Sequence, residues 1–115
     1  MAHITGGGLL ENIPRVLPDT VCVRIDAASW QAPPVFSWMA KVGNISALEM
    51  ARTFNCGIGM AIITAPDQVA KATQILTDAG EKVFRIGVID QKTTVKPLQA
   101  SEQVILENIS TVWPC

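Results

Sequence analysis

Three consecutive glycines, Gly6-Gly7-Gly8, stand near the start of this 115-residue chain. They separate a short polar pair, His3 and Thr5, from the apolar positions Leu9, Ile13, Val16 and Leu17, which have the spacing of one buried helix face. Residues without a Cβ allow a sharp turn and a close approach of the backbone. The N–H groups at a helix start have no intrahelical partner and favour an anion. The chain is therefore expected to open with a turn that feeds a helix. That turn has two readings, a tight structural turn or a cradle for phosphate.

The rest of the chain is cut into short pieces by proline and glycine. Pro18 ends the first helix. Val21, Val23 and Ile25 alternate with Cys22 and Arg24, which predicts a half-buried strand. Pro33-Pro34 opens a second helix with Val35, Trp38, Met39 and Val42 on its apolar face, closed by Gly43, a residue able to take positive φ. Ser46 and Glu49 form a capping box for a third helix, whose buried face is Ala47, Met50, Ala51 and Phe54.

Asn55-Cys56-Gly57-Ile58-Gly59 reads as a turn entering a strand over 58–63. That strand is apolar on both faces and is expected at the centre of a covered sheet, with Gly59 marking a bulge or close approach. Pro66-Asp67 begins another helix, with Val69, Ala72, Ile75, Leu76 and Ala79 inward and Gly80 at its end. A strand is expected over 83–89 and a short edge strand over 95–98, while 101–109 fits helix or strand. The order of elements predicts an α/β chain, a mixed sheet with packed helices of the α+β type.

Composition limits the function. Nine Lys and Arg balance ten Asp and Glu, and the basic residues are scattered from Arg15 to Lys96. No basic field is present to hold a nucleic acid or a membrane surface. The longest apolar run, Met60-Ala61-Ile62-Ile63, falls far short of the roughly 20 residues that span a bilayer. Mean hydropathy is nonetheless +0.31, high for so short a chain. The excess is expected to meet something other than water. Cys22, Cys56 and Cys115 have no C-x-x-C spacing and no histidine cluster, so no metal site is expected, and reduced thiols in the cytoplasm are.

Candidate site residues cluster at the glycine run. Gly6, Gly7 and Gly8 offer backbone donors, and Thr5 and Asn12 can donate to an anion or serve as turn and cap residues. His3, the only histidine, has a site reading (phosphate contact or proton transfer) and a structural one. The glycines around Cys56 lead into a strand rather than a helix, so a structural turn is preferred there, with Cys56 as a small buried side chain. Glu49 is preferred as a cap over a magnesium ligand. Trp30, Trp38, Phe36 and Met39 are read as packing, with an exposed subset available to a partner.

Several blocks occur together in one order. They are His3-Ile4-Thr5-Gly6-Gly7-Gly8-Leu9, Glu11-Asn12-Ile13-Pro14-Arg15-Val16-Leu17-Pro18, Pro34-Val35-Phe36-Ser37-Trp38, Gly43-Asn44-Ile45-Ser46 and 49–60. Over residues 2–98 the chain resembles the second domain of phosphoribosylformylglycinamidine cyclo-ligase, or AIR synthetase, in the form found within eukaryotic multifunctional purine-synthesis proteins. Blocks in register are far more specific than a lone glycine motif.

The resemblance implies a step of purine synthesis: formylglycinamidine ribonucleotide and ATP give aminoimidazole ribonucleotide, ADP and phosphate, with Mg2+ required. It implies a homodimer whose cleft lies between two domains. By that resemblance residues 1–98 are part of the second domain and 99–115 an unassigned tail. The first domain and the opening strands of the second are missing, so the fragment is expected to be inactive alone. Its expected partners are the phosphorylated ribonucleotide and the missing N-terminal domain, with no nucleic acid and no membrane. The competing reading is a non-catalytic binding or dimerisation module that associates with the full-length enzyme.

Overall fold

The computed structural model describes residues 1–91 and 103–109. Strand β1 (Ala2–His3) leads into helix α1 (Gly8–Asn12) and a 3-10 turn at Pro14–Val16. Strand β2 (Val21–Asp26) follows, then helices α2 (Pro34–Val42) and α3 (Ala47–Thr53). Strand β3 (Met60–Ala61), helix α4 (Val69–Asp78), strand β4 (Gly87–Gln91) and strand β5 (Val104–Glu107) complete the order. The architecture is α/β with a mixed sheet, as the alternation of periods predicts.

The first helix is shorter than its apolar spacing suggests. Pro14 has no N–H to continue the ladder, so α1 stops and the chain tightens into the 3-10 turn. Leu9 and Ile13 are buried in the core, but Val16 lies outside it. Strand β2 is more enclosed than a half-buried strand, because Cys22 is buried along with Val23 and Ile25. It runs between two partners, antiparallel to β4 and parallel to β5. β1 and β3 form a separate two-stranded antiparallel pair, with Ala2 opposite Ala61 and His3 opposite Met60.

The core joins α1, β2, α3 and β5. Leu9, Ile13, Ile25, Val104 and Leu106 are among its fully enclosed side chains. Met50 and Ala51 press the inner face of α3 against α1. Trp30 is buried beside them and donates its Nε1 hydrogen to the Cys56 carbonyl at 3.0 Å.

Several expectations are corrected. The apolar stripe of α2 faces outward: Val35, Trp38 and Val42 are all exposed, Trp38 at 63%. The helix instead turns Ala40 into the core and sets Phe36 against Phe54, ring centroids 6.1 Å apart. A small residue lets the helix axis approach its neighbour, so the bulkier stripe is left outside. The 58–63 strand is not central. Only Met60 and Ala61 pair, and Met60, Ile62 and Ile63 are exposed. A Cβ on Gly59 would meet nothing, so no close approach occurs there.

The predicted 83–89 strand is displaced to Gly87–Gln91 and lies exposed at the sheet edge. Helix α4 is preceded by a 3-10 turn at Pro66–Gln68 and buries no residue fully; Ile75 is exposed. Gly43 keeps a right-handed φ of −85°, and the positive φ falls on Asn44, at 51°. Ser46 does cap α3, accepting from the Glu49 N–H at 3.2 Å, but the Glu49 carboxylate pairs with Arg52 at 3.5 Å instead of reaching back. The 95–98 strand lies outside the described residues. Within 101–109 the chain forms β5.

Candidate functional site

The glycine turn is organised around one buried amide. Asn12, the last residue of α1, is 4% exposed and is the one buried polar side chain among the described residues. Its Nδ2 donates to the carbonyls of Thr5 at 3.1 Å, Gly6 at 3.3 Å and Gly8 at 2.8 Å. Its Oδ1 accepts from Thr5 Oγ1 at 3.1 Å and Arg15 Nη1 at 3.0 Å. A buried amide with both ends engaged fixes the backbone around it.

The three glycines have different duties. Gly8 has φ +62°, and a Cβ there would fall on the Ala51 carbonyl oxygen, with the Phe54 carbonyl oxygen at 2.7 Å. It lets α1 start directly against the end of α3. Gly7 has φ +97° and lies against the Glu11 side chain. Gly6 is exposed, and a Cβ there would meet nothing within 4 Å. The Gly8 N–H closes onto the Thr5 carbonyl at 3.0 Å. The Gly6 and Gly7 N–H groups have no acceptor among the described residues.

This arrangement separates the predicted site residues. Gly6 and Gly7 carry the available donors. The hydrogens of Thr5 Oγ1 and the Asn12 amide are engaged inside the turn. Arg15, which sequence reasoning did not single out, brings a guanidinium to the same network; its three-residue offset from Asn12 was the available signal. The Glu11 carboxylate beside Gly7 opposes an anion on that side, so the open approach is over Gly6. His3 is exposed on β1, opposite Met60, and makes no side-chain hydrogen bond among the described residues.

The second glycine-containing turn is built as a structural corner. Asn55 Oδ1 accepts from the Gly57 N–H at 2.9 Å, and Asn55 O accepts from the Ile58 N–H at 3.0 Å. Cys56 (φ +52°) and Gly57 (φ +101°) reverse the chain against Pro33. Burial of Cys56 pushes its thiol up to about 12, so it remains protonated and unreactive near neutrality. Among the described residues no group of three or more His, Cys, Asp or Glu side chains is placed to hold a metal ion.

Residues 1–97 match the family described as AIR synthase related protein, C-terminal domain. The chain belongs to that family. It is 54% identical over 92 residues to the phosphoribosylformylglycinamidine cyclo-ligase of Chromobacterium violaceum, covering 80% of this chain and 27% of that protein. It is 50% identical over 97 residues to the enzyme of the same name from Nitrosospira multiformis, covering 84% and 28%. It is 52% identical over 92 residues to that from Aromatoleum aromaticum, covering 80% and 26%. The chain thus spans about a quarter of the length of the curated relatives it matches.

The whole glycine turn of this AIR synthase related domain, from His3 to Arg15, lies within the family match, whereas β5 lies beyond its end at residue 97. No helix among the described residues is long and apolar enough to cross a membrane.

Proposed function

We propose that this chain is the C-terminal-domain part of an ATP-dependent cyclo-ligase that converts formylglycinamidine ribonucleotide to aminoimidazole ribonucleotide in the cytoplasm. In this reading the Gly6–Gly8 turn contacts a phosphate of the ribonucleotide or of ATP. The observation that carries it is the pair of open N–H groups at Gly6 and Gly7, on a turn whose carbonyls are held by Asn12. Preorganised backbone donors stabilise an anion without having to reorient when it arrives. The α1 helix is little more than one turn long, so its dipole adds little, and the N–H groups themselves supply the attraction.

Thr5 and Asn12 hold the turn, and Arg15 adds positive charge beside it. His3, exposed on the strand entering the turn, is the candidate proton-transfer group. ATP fits the turn through a phosphate. Mg2+ is assigned to none of the described residues, which offer no ligand cluster for it. The remaining groups of the reaction, including the homodimer and the nucleotide-binding first domain, belong in this reading to the rest of the enzyme.

Gly6→Val tests the reading, because Gly6 has open space and no positive φ. Isothermal titration with the ribonucleotide is expected to show binding to the native chain and at least tenfold weaker binding to the variant, about 1.4 kcal/mol, at unchanged melting temperature. Equal binding by both would remove the turn from the site. The second reading, an association module for the full-length enzyme, is favoured by the exposed Val35-Trp38-Val42 stripe of α2. Co-migration of the chain with the full-length enzyme, abolished by Trp38→Ser, is its expected signature.

A further inference from the structure

No further inference is drawn: the strongest candidate, the outward apolar stripe of helix α2 formed by Val35, Trp38 and Val42, is an exposed helix face, and nothing in the structure shows what covers it.

Discussion

Replacing Asn12 isolates the bond network that shapes the glycine turn. The Asn12→Ala change removes the Nδ2 donor from three carbonyls and the Oδ1 acceptor from Thr5 and Arg15. Only the bond to Gly8 is fully buried, so water can replace the other four in part. The Gly8 carbonyl keeps the Asn12 N–H as its helical partner and the Thr5 carbonyl keeps the Gly8 N–H, so each lost side-chain bond costs only a fraction of about 1 kcal/mol. The expected loss is about 1–3 kcal/mol, which for a chain of this size lowers the melting temperature by about 4–12 °C. Urea unfolding followed by tryptophan fluorescence measures it, and the midpoint should fall at constant slope. Asn12→Asp sharpens the result. A carboxylate can still accept from Thr5 and Arg15, but it has no hydrogen for the three carbonyls. If donation to the carbonyls is what holds the turn, Asp is no better than Ala at neutral pH. Losses below about 1 kcal/mol in both variants would refute the reasoning, as would an Asp variant of native stability.

Three further outcomes follow from the same structure. Gly8→Ala is expected to cost at least about 2 kcal/mol in the same unfolding assay, since the residue has positive φ and its Cβ would fall on the α3 backbone. Trp38→Ser is expected to leave stability within about 0.5 kcal/mol and to reduce self-association in sedimentation velocity, because the side chain is exposed. Cys56 is expected to resist iodoacetamide at pH 8 in the folded chain and to react once unfolded, read by mass spectrometry. Its thiol pKa is higher folded than unfolded, so the unfolded state loses its proton first; stability should decline as pH rises from about 9 towards 12, with no contribution from this group below that window.

What was legible in the sequence is what local rules determine. The Ser46 cap, the strand at β2 and the Asn55 turn are each set by neighbours within a few positions, and each is where the sequence places it, although burial of Cys22 breaks the expected alternation of β2. Helix α2 was misread because it carries two apolar stripes. Periodicity favours the larger one, Val35-Trp38-Val42, whereas packing selected Phe36 and Ala40, which allow a closer approach. A continuous apolar run such as 58–63 carries no signal for depth, and it pairs over only two residues. β1 is too short for any period to show. At the candidate site, the glycines announce a turn, but an asparagine at the end of a helix looks the same whether it faces water or five partners. The Arg15 contact depends on that hidden orientation.

The place of β2 has a consequence for how the chain acquires its structure. Its two ladder partners lie about 65 and about 80 positions further along the sequence. During synthesis, β1, α1, β2 and the α2–α3 hairpin emerge long before either partner exists. α1 and α3 can meet early, since everything they need lies within the first half. The sheet must wait, with Val23 and Ile25 uncovered, until nearly the last residue that secures them has appeared. Pairing across such separations is slow compared with helix docking. The interval in which β2 stands bare is when a nascent chain is most open to a neighbour's strand or a chaperone. β5 therefore works as a timing element as well as a structural one: the arrival of Val104–Glu107 marks the moment at which this fold can close.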